Sequence, residues 1–237
     1  MRKTISHTAY IENMSNDLTT SLSWDTLRLD TIDTPYSIPE KRDDWIKKCL
    51  SNGKYIAQAK EIIKITEELG YKRIFSVGVG GAWLEYNIKQ LKHDLHITCT
   101  DYAIKTIKRL RSVFIDCDKI EVFDIIKDNF PQKKEFILLN RIDTEFDDKN
   151  LKKIYSNMAN NGIENILVIA THILTIRYYF MSQLRIIINK FRRRKMIFAG
   201  YSRTKSRFIE LFEDDYFILR EKGIDGVNSF LLQRKKN

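Results

Sequence analysis

The chain has 237 residues, 43% hydrophobic and 30% charged. Thirteen Phe, eleven Tyr and three Trp can build a sizeable core, which excludes a disordered chain; nine Gly and three Pro exclude a collagen-like or low-complexity one. Forty-one Lys and Arg against thirty-one Asp and Glu leave a net charge of +10. That balance favours an anionic partner without choosing among nucleic acid, a phosphorylated substrate and a lipid surface, and drift in a Lys/Ile/Asn-rich sequence gives the same number.

In chain order, the first forty residues are polar and turn-rich, with Pro35 and Pro39 close together, and read as a loosely structured arm. Trp45, Ile46, Cys49 and Leu50 then fall at helical spacing before Asn52-Gly53. A second helix carries Ile56, Ala59, Ile62, Ile63 and Leu69 on one side and ends at Gly70. Beyond it short apolar runs alternate with helical stretches. Strands are expected over 73–78, 95–100, 119–123, 135–140 and 164–171, and helices over 82–92, 103–113 and 147–160. A helix over 204–212 precedes two strands, 216–221 and 227–233, joined through Gly223-Ile-Asp-Gly226. This rhythm predicts an α/β fold with βαβ units and a parallel sheet, closed by an antiparallel hairpin. Continuous apolar runs, without alternation, suit strands buried on both faces.

The cysteines, Cys49, Cys99 and Cys117, form no CxxC pair, so neither a zinc site nor a disulfide framework is expected, and a reducing, cytoplasmic compartment fits. The N-terminus has no signal-peptide pattern. The longest apolar candidate for a membrane span, Ile173 to Lys190, is interrupted by Arg177 and Arg185.

The chemistry centres on the turn after the first of these strands, Gly78-Val79-Gly80-Gly81-Ala82. A glycine-rich strand-to-helix turn lets a ligand approach the backbone and meet unpaired N–H groups. A tight turn with no ligand uses the same residues. The second strand ends at Asp101, about twenty residues on, where a carboxylate can accept both hydroxyls of a ribose; the alternative is a cap for the next helix. Asp124, just after the third strand, can accept from an adenine amino group or be a solvated loop residue. Asn140 and Arg141 stand at the tip of the fourth strand, on the same sheet edge.

Together these features resemble the class I S-adenosylmethionine-dependent methyltransferases, over about Tyr55 to Lys236. The resemblance implies a Rossmann-like, seven-stranded, mostly parallel sheet with helices on both faces and an antiparallel last strand. It implies S-adenosylmethionine as cofactor, contacted at Gly78, Gly80, Gly81, Asp101, Tyr102, Asp124 and Asn140. It divides the chain into an arm and helix (1–54) and a methyltransferase domain (55–237) with a basic helical insert at about 172–195. Two positions depart from the family pattern: Ser76 replaces an acidic residue before the first glycine, and Ala82 replaces the third glycine. Glu85 is a nearby substitute for the missing acid.

A general base is expected beside the fourth and fifth strands, where His172 and Asp143 are the candidates and Glu145 lies near. His172 is also read as a structural strand-end histidine. Arg141 and Arg203 are candidates to bind an anionic group of the acceptor. The insert, with Ile173, Ile176, Phe180, Leu184, Ile187 and Phe191 at helical spacing and the run Lys190-Phe-Arg-Arg-Arg-Lys195, has three readings: a helix packed on the domain, a lid for an anionic acceptor, or a basic amphipathic helix on a membrane surface. The arm and the Gly-Tyr-Ser-Arg-Thr stretch at 200–204 look like bacterial enzymes that O-methylate sugars of surface polysaccharides. Three alternatives stay open: an RNA methyltransferase, a nicotinamide-dependent oxidoreductase, and a non-catalytic binding protein on the same fold.

Overall fold

The computed structural model of the chain describes residues 3–11, 14, 17–18, 20–30, 34–131, 135–171, 173–224 and 227–236. Its centre is a seven-stranded sheet. In chain order the strands are β2 (Arg73–Val77), β3 (His96–Asp101), β4 (Lys119–Val122), β5 (Phe136–Asn140), β6 (Asn165–Ile169), β8 (Tyr216–Ile224) and β9 (Val227–Arg234). Their spatial order is β4-β3-β2-β5-β6-β9-β8. The pairs β4/β3, β3/β2, β2/β5 and β5/β6 are parallel, and β9 runs antiparallel to both its neighbours. This is the expected Rossmann-like α/β fold. Asp225 and Gly226, from the expected connection between the last two strands, lie outside the described residues.

Side chains alternate along each strand and so feed two cores. Ile74, Ile97, Phe136 and Leu138 face the layer made by α2 (Arg42–Leu50), α3 (Gly53–Glu68), α4 (Trp83–Leu91) and α5 (Ile104–Val113). Phe75, Val77, Ile137 and Leu139 face α6 (Asp148–Asn160) and α8 (Lys205–Glu210). Burial on both faces explains the unbroken apolar runs, each buried Ile, Leu or Phe contributing about 1.5–3 kcal/mol.

The arm is more ordered than its composition suggests. Thr4–Ala9 forms β1, which pairs antiparallel with β7 (Ile197–Arg203) in a separate two-stranded sheet. Ser21–Asp25 forms the short helix α1, and Thr26–Asp30 continues it as a wider π-helical turn. These segments are polar because they cover an already formed domain; their partners lie far along the chain, where no local periodicity records them. The insert forms one helix, α7 (Ile176–Phe191), between β6 and β7. Among the described residues no helix is long and apolar enough to cross a membrane.

Candidate functional site

The parallel strands end on one edge of the sheet, and a cavity of about 340 Å³ opens there. It is bounded by Val77 and Gly78 from β2, Asp101 and Tyr102 from β3, Phe123 to Lys127 after β4, and Ile142, Glu145 and Phe146 after β5, with Thr20 and Ser21 closing it from the arm.

The glycine turn is built by backbone geometry. Gly78 (φ +70°) and Gly80 (φ +56°) are left-handed, and the amides of Gly78 and Val79 both donate to the Thr100 carbonyl (2.8 and 3.0 Å). A methyl group on Gly78 would lie 2.4 Å from Ile142 Cγ2, which faces it across the cavity mouth. Ala82, at the departed third-glycine position, keeps a left-handed backbone (φ +55°). Gly81 is turned toward the domain, where its carbonyl accepts from Trp45 Nε1 at 3.0 Å.

The other departure has a structural answer. Ser76 Oγ donates to Glu85 Oε1 at 2.6 Å, and both residues are buried. Glu85, in the first turn of α4, therefore turns its carboxyl beneath the loop, against the end of β2. Burial raises its pKa to about 7, with the Ser76 hydrogen bond opposing the shift.

Asp101 is 1% exposed. One oxygen accepts from the Ala103 amide at 3.0 Å, at the start of α5. The other accepts from the Gly80 amide at 3.1 Å and from Arg28 Nη1 at 3.0 Å. Asp101 thus closes the turn into α5 with one oxygen and ties the glycine turn to the arm with the other. Arg28 comes from the π-helical turn, is itself buried, and stacks over Trp24 (4.7 Å). Its position follows from Asp25, which accepts from the Thr106 amide (2.7 Å) and hydroxyl (2.8 Å) and from the Lys105 amide (3.2 Å). Asp25 therefore caps α5, which has no side-chain cap of its own. Docking there delivers Arg28, three residues on, to Asp101.

Asp124 lines the cavity and accepts from the Ile126 amide (3.0 Å) and Lys127 (2.9 Å). Burial opposes its ionisation, but Lys127 and the amide outweigh burial and hold the carboxyl below its ordinary range. Phe123 and Ile125 add apolar walls on either side. Asn140 Oδ1 is buried and has no partner among the described residues. Tyr102 stands beside Asp101, its hydroxyl pushed up by burial and by the Glu145 and Asp101 carboxylates.

The acceptor side differs from expectation. His172 lies outside the described residues. Asp143 is 4% exposed and does not line the cavity; its Oδ1 accepts from the amide and hydroxyl of Thr171, both at 2.8 Å. Burial raises its pKa, while Thr171 and Arg203 pull it back. It fastens the loop after β5 to the end of β6. Arg203, 2% exposed, donates to Asp148 (2.7 Å) and to the carbonyls of Asp143 (2.7 Å) and Phe146. It braces the same loop from within and is not turned toward the cleft. Arg141 is exposed, with a left-handed backbone (φ +60°), and lies beside the cavity residues without lining it. Of the carboxyl groups in the loop after β5, Glu145 lines the cavity. Burial pushes it up to about 8, Arg28 opposing and the Asp101 carboxylate adding to the rise. Arg28 and Thr20 had no readable signal in a polar arm, since only Asp25 on the cap of α5 fixes their place.

The fold has many solved counterparts. The pyocyanin biosynthetic protein PhzM superposes with a TM-score of 0.54 at 17% identity, over 69% of this chain and 50% of that one. Human N-acetylserotonin methyltransferase in complex with SAM gives 0.54 at 14% identity, over 83% and 60%. Magnesium protoporphyrin IX methyltransferase (ChlM) from Synechocystis PCC 6803 with bound SAH gives 0.59 at 10% identity, over 81% and 94%. The fold is shared with methyltransferases. The chain spans about half to 60% of the length of the first two and most of the third. No family model matches the sequence, and no curated protein does.

Proposed function

We propose that the chain is an S-adenosylmethionine-dependent methyltransferase acting on a small-molecule acceptor, most simply at an oxygen. The observation that carries this is Asp101, buried at the tip of β3 beside a left-handed glycine turn, at the mouth of a cavity with apolar walls at Phe123 and Ile125. Those residues fit the cofactor. Asp101 suits the ribose hydroxyls, Asp124 and its apolar neighbours suit the base, and Gly78 brings its backbone to the cavity wall. The Asn140 oxygen, buried and without a partner among the described residues, suits the amino-acid end. The bound cofactor supplies an electrophilic methyl group, so the protein's part is to align acceptor and methyl and to handle one proton.

Glu145 is the residue we assign to that proton. It faces the cavity, and its carboxyl titrates near 8, so a deprotonated fraction is present at neutral pH. His172 remains the second candidate, on its place directly after the β6 region; Asp143 supports Glu145 by fixing their shared loop. A sugar or glycan acceptor is the finer reading; it rests on the likeness of the arm and the 200–204 stretch to polysaccharide-modifying enzymes.

Titration calorimetry tests the cofactor. S-Adenosylhomocysteine is expected to bind and nicotinamide dinucleotide is not. Asp101→Asn should weaken the first by about 10- to 100-fold through loss of charge-assisted hydrogen bonds. Tight dinucleotide binding, or unaltered affinity in the variant, would overturn the reading.

A further inference from the structure

The helix α7 carries its amphipathic pattern inside out. Ile176, Phe180, Leu184, Ile187 and Phe191 recur at steps of three and four and form one stripe. On a helix packed against a domain that stripe faces inward. Here it faces solvent: Phe180 is 65% exposed and Phe191 84%, and the other three are at least half exposed. The side toward the protein is the more polar one, with Tyr178, Tyr179, Ser182 and Ile186 half-buried and Asn189 fully so. Beside β1, His7 meets Tyr178, and beyond the ends of strand and helix Tyr10 lies under Arg194.

The charge around the stripe has one sign. From Ile176 to Lys195 there are seven Lys and Arg and no Asp or Glu. Arg177 borders the stripe on one side and Lys190 on the other, both exposed, Arg185 and Arg192 lie further round beside Ala9 and Tyr10, and none of the seven forms an ion pair among the described residues. At a rise of 1.5 Å per residue the sixteen residues extend roughly 24 Å, shorter than a bilayer core of about 30 Å. Such a helix lies in an interface and does not cross it.

We propose that the exposed face of α7 docks this protein on an anionic lipid bilayer, the apolar stripe entering the acyl boundary and the flanking cations meeting the headgroups. A second copy of the chain is the poorer occupant. A two-fold contact between two such faces sets Arg and Lys against Arg and Lys, with no acidic residue on the helix to relieve them. The inference stands apart from the cofactor reading, because vesicle binding needs neither cofactor nor turnover.

Vesicle flotation of the full chain tests it. Binding is expected to vesicles of phosphatidylcholine mixed with phosphatidylglycerol, to be at least about tenfold weaker to phosphatidylcholine alone, and to fade at high salt. Phe180→Ser with Phe191→Ser should abolish flotation while leaving the circular dichroism spectrum and thermal midpoint unaltered, since both rings are already in solvent. Equal binding by that variant would overturn the proposal. So would failure of the wild type to bind either vesicle, whether it then sediments as a dimer or shifts single-stranded RNA.

Discussion

Arg28 and Asp101 set the energetics of the candidate cofactor pocket. The carboxylate proposed to hold a ribose accepts from a buried guanidinium at 3.0 Å in the structure. Breaking a buried ion pair by removing one partner costs up to about 3–5 kcal/mol, less here because the Gly80 and Ala103 amides remain on Asp101. A ligand offering hydroxyls to Asp101 must displace Arg28 or share the carboxylate with it. Arg28→Met should therefore lower the thermal midpoint of the free protein and raise affinity for S-adenosylhomocysteine by about tenfold. Scanning calorimetry and titration calorimetry check the two halves. Weaker binding in the variant would mean that Arg28 holds the ligand directly.

At the scale of elements, β2 and α4 share a buried acid. Glu85 has a pKa of about 7 in the folded protein, raised from 4.5 by burial and countered by Ser76. Between those values the folded chain keeps a proton that the unfolded chain releases. Its contribution is therefore fully present below about pH 4.5 and is lost as pH rises through 7. Glu145, raised to about 8, acts in the same direction. Urea midpoints should fall between pH 5 and 8, and Glu85→Gln should flatten that slope in part, the amide keeping the Ser76 contact without a proton to lose. An unaltered slope would place the titration elsewhere. The strands and helices of this region were legible because each carries its own period: Ile74 and Phe75 feed opposite cores, and α5 shows Ile107 and Leu110 on one face. The Ser76–Glu85 contact was foreseen only as a carboxylate nearby, since spacing cannot say that a side chain turns beneath the loop.

At the scale of the whole molecule, the N-terminal segment contributes side chains to the main core. Trp45, from the first fifty-four residues, is fully buried against Tyr86 and Phe114 (ring centroids 5.1 Å each) and hydrogen-bonded to the Gly81 carbonyl. Ile38 and Cys49 join the same cluster as Ile74 and Ile97. Trp45→Ala should cost about 3–5 kcal/mol in urea unfolding and loosen the glycine turn it supports. A loss below about 1 kcal/mol would show the N-terminal region to be a dispensable cover.

The sequence alone determined the sheet and the direction of its strands, because the fold of an α/β domain is written in local periods. It placed Gly78, Asp101, Tyr102 and Asp124 around one crevice. Tertiary structure decided what those residues meet. Arg28 reaches Asp101 across seventy-three positions, Arg203 reaches the carbonyl of Asp143 across sixty, and β1 finds β7 across most of the chain. Partners at such separations are selected by shape and charge after the chain has folded, and no period along the backbone encodes them.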